Sequence, residues 1–182
     1  MDDFAIEMRV TGTKQIRSIL KRAINRTNDL RSFFHGKLLP YLQGIHENRF
    51  ITHTGPNNEQ WASLTEGYLA TKRKRESPFP GAENILMRTG EMVSALAESN
   101  QYSIRSVGKN VLEYGLAGFR DNRHIVSQFG TKGAMTMGFS DAQQGVPARP
   151  FFGLSEAQMN SVDDQLMDYI EEAFRSGAKN NP

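Results

Sequence analysis

Two prolines three residues apart, in Val146-Pro147-Ala148-Arg149-Pro150-Phe151-Phe152-Gly153-Leu154-Ser155, constrain this chain more than any other feature. Each ring holds its own φ at roughly −65° and pushes the residue before it, Val146 or Arg149, toward extended backbone, so the stretch cannot be helical. It reads as a strand edge or strap. Ser155 then stands where a helix N-cap belongs, with Gln158 three residues on as the partner of a capping box, and helical periodicity starts at once. The segment predicts a rigid extended strap that launches a terminal helix.

The rest of the chain alternates helical and extended signals. Phe4, Ile6, Met8 and Val10 recur with period two and predict a half-buried strand ending at Thr11-Gly12. From Thr13, apolar residues at three- and four-residue spacing (Ile16, Ile19, Leu20, Ala23, Ile24, Leu30, Phe34, Leu38) predict a long helix over about 13–48, roughly 40 Å to Leu39 if unbroken, which Pro40 should kink or divide. Gly55-Pro56-Asn57-Asn58 marks a loop that delivers Trp61 to the core. Short helices are expected at 65–74 and 89–98, two antiparallel strands at 101–107 and 111–116 joined near Gly108-Lys109-Asn110, and a helical turn at 124–129. Residues 130–145, rich in Gly, Ser and Gln, read as a mobile loop, and 177–182 as a flexible tail. The last helix should turn Met159, Val162, Leu166, Tyr169, Ile170 and Ala173 inward. Together these predict one α+β domain over 1–176. A small antiparallel sheet, formed by the N-terminal strand, the central hairpin and the strap, packs against the long N-terminal helix and the C-terminal helix.

Only 38% of the 182 residues are apolar and the mean hydropathy is −0.54, so the core is thin for the length and assembly would bury more. There are no cysteines, which excludes disulfides, thiolate zinc sites and cysteine nucleophiles. No apolar run approaches the roughly 20 residues of a membrane helix, and Met1-Asp2-Asp3 lacks a basic signal-peptide region. Charge is segregated. Lys14 to Arg49 holds eight Lys/Arg against Asp29 and Glu47, a local +6, whereas Leu154 to Pro182 holds Arg175 and Lys179 against six carboxylates, a local −4. Two oppositely charged surfaces are therefore available to pair within a subunit or between neighbours.

Catalytic patterns are weak. His46 lacks the second histidine of a zincin helix, and His53 and His124 have no spaced ligand partners. Asp164, Asp168 and Glu171 or Glu172 share a helix face, but no histidine, tyrosine or glycine-rich loop joins them in sequence, and a solvated face is their usual meaning. The run Lys72-Arg73-Lys74-Arg75 is the strongest nucleic-acid signal; without interleaved aromatics it suits non-specific phosphate contact, an acidic neighbour or a solvated loop. Trp61, Phe129, Phe151 and Phe152 read as core or subunit-interface anchors rather than a ligand cage. Arg149 can make bidentate contacts to a partner from a strap that prolines already hold rigid, or pair within its own subunit. No cofactor is implied.

Four segments in order carry a resemblance: Gly55-Pro56 with Trp61-Ala62-Ser63-Leu64-Thr65, then Ile85-Leu86-Met87-Arg88-Thr89-Gly90-Glu91-Met92, then Ser127-Gln128-Phe129-Gly130, then Pro147 to Ser155. Over roughly residues 50–160 the chain resembles the phage virion morphogenesis family, the tail-completion or head-tail joining proteins of Mu-like long-tailed bacteriophages. The stretch from Phe119 to Gly145 is longer than the family pattern. The resemblance implies a non-enzymatic protein of the virion neck, assembled in the host cytoplasm. In that picture, copies form a ring, six-fold by tail symmetry, between the tail terminator and tube on one face and the head-side connector or adaptor on the other. Its lumen would pass DNA. A basic nucleic-acid-binding module and a small hydrolase using the terminal carboxylates with His124 are the readings from other classes.

Overall fold

A computed structural model of the chain describes residues 13–74, 84–87, 89–119, 123–130 and 145–175. The expected N-terminal strand, the interior of the 130–145 loop and the 177–182 tail lie outside them.

Helix α1 (Thr13–Asn28) is amphipathic and stops at Asp29. There the Asp29 carboxylate accepts the backbone N–H of Arg31 at 3.2 Å and both arms of the Arg31 guanidinium at 2.9 and 2.6 Å. The Leu30 N–H donates to the carbonyl of Lys109, 2.7 Å away at the hairpin tip. A short helix α2 (Arg31–Phe33) then runs through a π-helical segment, Phe34–Leu38, into α3 (Leu39–Thr52). The helix thus divides at Asp29 and Leu30 and passes Pro40, where the sequence predicted the division. The reason is local. Proline in an α-helix removes one donor and crowds the carbonyl four residues back; here Leu39 bonds to Phe34, five residues back, and the widened turn seats Pro40 in the first turn of α3, where no donor is needed. His53 ends α3 in the left-handed conformation, φ 56°.

The loop after α3 carries Trp61 inward, and Thr65 opens α4 (Glu66–Lys74). Helix α5 (Glu91–Ala97) lies against α3 and against the hairpin of β1 (Ser103–Val107) and β2 (Leu112–Leu116). The strands are antiparallel, with Ser103 opposite Leu116 and Val107 opposite Leu112, and the turn closes through Gly108 N–H to Val111 O at 2.8 Å. Among the described residues the sheet has these two strands. The strap is extended but is not a third; it runs beside α6 (Arg123–Phe129) and leads to α7 (Glu156–Arg175).

The core is a cluster of Phe50, Trp61, Met92, Leu96, Phe119 and Phe151. One side chain comes from α3, one from the loop, two from α5, one from the end of the hairpin and one from the strap. Phe50 stands edge-on to Trp61 at 5.7 Å and tilted to Phe151 at 5.7 Å. A second, smaller packing centre joins Phe33 and Phe34 to Tyr169 of α7. Here the oppositely charged helices meet within the subunit: Arg26 of α1 lies 4.8 Å over the Tyr169 ring and donates to the Tyr169 carbonyl, and Arg26 and Lys37 both reach Glu172 at 3.4 Å.

Candidate functional site

The strap is held by side chains rather than by a sheet. Its backbone donors at Phe151 and Phe152 both go to Gln128 Oε1, at 3.0 Å each, while Gln128 Nε2 donates back to the Phe152 carbonyl at 3.0 Å. One amide at the end of α6 thereby replaces a neighbouring strand. The Arg149 N–H donates to Ser127 O at 2.7 Å, completing the same pairing. Gly130 follows directly, and only glycine fits: its φ is +68°, and a Cβ there would sit 2.6 Å from Ala148 N and 2.7 Å from Val146 O.

Two arginines fasten this strap, one within it and one from α3. Arg149, 7% exposed, donates through Nε to Ala62 O at 2.9 Å and through Nη2 to Ser63 O at 3.2 Å. Arg49 of α3, 3% exposed, donates through Nη1 to Phe151 O at 3.1 Å and Gly153 O at 2.7 Å, and through Nη2 to Gln158 Oε1 at 2.8 Å. Burial lowers the pKa of both from the ordinary arginine value, yet each keeps its charge among carbonyl dipoles. Gln158 also accepts the Ser155 N–H at 3.0 Å, and Ser155 Oγ accepts the Gln158 N–H at 3.2 Å. This is the reciprocal capping box predicted from the sequence, and Arg49 ties it to α3.

Beside Arg49, one turn earlier, His46 is 1% exposed and donates from Nδ1 to the Leu42 carbonyl at 2.6 Å. Its ring stacks on Phe152 at 5.0 Å and tilts against Tyr114 of β2 at 5.4 Å. Burial, assisted by the Arg49 charge, holds its pKa down at about 4, so the imidazole is neutral near neutral pH. Tyr114 is pushed well above its ordinary value by the same burial and donates to the Leu96 carbonyl at 2.9 Å.

The side chains proposed from the sequence as interface anchors fall into two groups. Trp61 and Phe151 are core residues, with Trp61 Nε1 donating to Pro150 O at 3.0 Å, and Phe152 is half-buried on His46. Arg149 is inside as well. Its guanidinium serves two carbonyls of its own chain, Ala62 and Ser63, which is the within-subunit pairing among the two readings the sequence left open. Phe129 alone projects, 75% exposed, with Ile125 one turn before it at 49%. The basic run also divides. Lys72 is buried, with Nζ 2.5 Å from Asn84 O and 5.9 Å over the Tyr68 ring, because its long stem packs while its ammonium finds a carbonyl. Arg73 is exposed; the Lys74 side chain and Arg75 lie outside the described residues.

Among the described residues no group of three or more His, Asp or Glu is placed to hold a metal ion, and no helix is long and apolar enough to cross a membrane. On α7, Glu171 pairs with Arg175 at 2.8 Å and Glu172 with Arg26 and Lys37, while His124 lies against Phe119 at 5.3 Å. Arg49 is the residue that sequence reasoning misplaced. Counted among the surface charges of a basic segment, it is instead the hub of α3, strap and α7; its place one turn after His46 and directly before Phe50 was the available signal.

The α+β subunit uses the buried arginines Arg49 and Arg149 to hold its own backbone in place. The sequence profile of the phage virion morphogenesis family matches residues 11–171, and the chain belongs to that family. It is thus a bacteriophage virion morphogenesis protein, with other virion proteins as its partners. No curated protein and no solved structure matches it.

Proposed function

We propose that the protein acts at the virion neck, in tail completion and the joining of head to tail, as a homo-oligomeric ring between the tail terminator and tube on one side and the head-side connector on the other. The observation that carries this reading is the family match across residues 11–171, which takes in the strap, both arginines and the capped terminal helix. The mechanism is adhesive: the interior fixes a rigid subunit, and apolar residues left outside, Phe129 foremost, meet neighbours. A ring of hexameric symmetry follows the tail it would complete. The burial of Lys72 weighs against the basic run as a DNA-binding surface and leaves at most non-specific contact with passing DNA through Arg73 and its neighbours.

An amber mutation in the gene tests this in infected cells. Filled heads and finished-length tails that fail to join, with normal DNA replication, are expected. Arrested DNA synthesis or absent capsids would overturn the neck assignment.

A further inference from the structure

Helices α1 and α7 leave apolar side chains outside their shared seam. On α1 Ala23 is buried, 7% exposed, while Leu20 and Ile24 remain 49% and 55% exposed. On α7, Met159, Met167 and Phe174 are 49%, 58% and 40% exposed. Apolar exposure of this density on two adjacent helices marks an interaction surface rather than scattered surface residues.

Charge identifies the occupant. Helix α1 carries Lys14, Arg17, Lys21, Arg22 and Arg26 with no acidic residue, a charge of +5. Helix α7 carries Glu156, Asp163, Asp164, Asp168, Glu171 and Glu172 against Arg175, six minus one, a charge of −5. The seam inside the subunit uses little of this: Arg26 and Lys37 share Glu172, and Glu171 takes Arg175. Among the described residues, Arg17, Lys21, Asp163, Asp164 and Asp168 have no ion-pair partner, although all five are exposed. Arg17, Leu20, Lys21 and Ile24 fall at three- and four-residue spacing on one strip of α1. Asp163, Asp164 and Met167 do the same on α7, with Phe174 two turns on. Each strip is therefore an apolar seam edged by charge, and the two edges have opposite sign.

We propose that the exposed strip of α1 packs on the exposed strip of α7 in a second copy of this chain, with Leu20 and Ile24 against Met167 and Phe174 and Arg17 against Asp163 and Asp164. Seating α1 on the partner's α1 would bring +5 against +5, whereas α1 on α7 joins complementary charges over an apolar centre. The contact would be one of the copy-to-copy contacts of the ring, and to that extent it rests on the proposed assembly.

The chain has no cysteine, so introduced ones report unambiguously. Ile24→Cys and Met167→Cys chains, one carrying a tag, are mixed and mildly oxidised, with tryptophan fluorescence confirming that each is folded. A disulfide between the two different chains, exceeding that of Ile24→Cys with itself, is expected. In parallel, Arg17→Glu should weaken self-association by about tenfold or more by light scattering, and mixing it with Asp164→Arg should restore it. A dominant Ile24→Cys self-pair, or no intermolecular disulfide, overturns the inference, and the latter includes coverage of the strip by the chain's own first twelve residues. Association unaffected by Arg17→Glu does so too. If the disulfide is absent while the protein still forms an oligomer on virions, this contact is wrong and the neck assignment stands. If the protein is monomeric in solution and missing from virions, both fail.

Discussion

Replacing Arg49 by methionine tests whether the strap hub stabilises the fold or only occupies it. The wild-type guanidinium makes three hydrogen bonds, to Phe151 O, Gly153 O and Gln158 Oε1, from a position 3% exposed. Bonds from a charged donor contribute about 1.5–3 kcal/mol each, but they act as one unit and do not simply add. Against them stands the desolvation of a buried cation with no carboxylate bonded to it, a penalty of several kcal/mol that methionine relieves. Relief does not restore the acceptors. Two strap carbonyls would be left without this donor in an apolar setting, at about 1–3 kcal/mol each, and the capping glutamine would lose one of its two donors. The net loss should be about 2–4 kcal/mol, which for a chain of this length lowers Tm by roughly 5–12 °C. Trp61, the only tryptophan and 4% exposed beside the strap, reports the transition by its fluorescence. Arg49→Lys should do no better than Arg49→Met, since lysine retains the buried charge without the fork that spans three acceptors. The reasoning is refuted if Arg49→Met leaves Tm unchanged or raises it, because desolvation would then outweigh the bonds, or if Arg49→Lys behaves as wild type, because charge rather than geometry would then matter.

Other outcomes follow from the same contacts. Ser155→Ala should cost about 0.5–2 kcal/mol by urea unfolding, and Gln158→Ala more, because Gln158 Oε1 serves both Ser155 and Arg49. Arg149→Ala should lower the Tm of the isolated subunit at least as much as Ser155→Ala, since its donors hold Ala62 and Ser63; an unchanged Tm with lost assembly would instead assign it to a partner. Burial holds the His46 pKa at about 4 against an ordinary 6.5, so the unfolded chain takes up that proton first as pH falls. Stability should therefore decline between those two values, by about 3 kcal/mol in all, and His46→Gln should remove that part of the slope when Tm is followed against pH.

Local signals in the sequence suffice where the answer is local. Ser155 and Gln158 form their box because both partners lie within one helical turn, and the hairpin turns at Gly108 because alternation on both sides fixes its register. Trp61 reaches the core from the loop that Gly55-Pro56-Asn57-Asn58 marks. The departures arise where a distant group decides. The long helix divides at Asp29 and Leu30 because a carbonyl of Lys109 is there to accept the Leu30 N–H. Prolines announced the strap's extension but not its neighbour, and the neighbour is Gln128, a side chain that no strand pattern reveals. Lys72 carries no mark of burial in the sequence, and Arg49 only its place beside His46 and Phe50, since burial of a cation depends on which carbonyls the fold brings to it.

Gly130 and Val146 meet at a clasp so close that a single methyl group at Gly130 would strike the backbone opposite. The chain leaves this point at residue 131 and has returned to it by Val146, with both ends fixed by Ser127, Gln128 and the strap. Whatever lies between them closes a loop already anchored at its base, and lengthening such a loop is inexpensive, about 0.6 kcal/mol for each doubling. An epitope or fluorescent domain inserted there offers a way to follow the protein through assembly. The clasp itself tolerates no such freedom, because a side chain at Gly130 would meet the backbone of Val146 and Ala148.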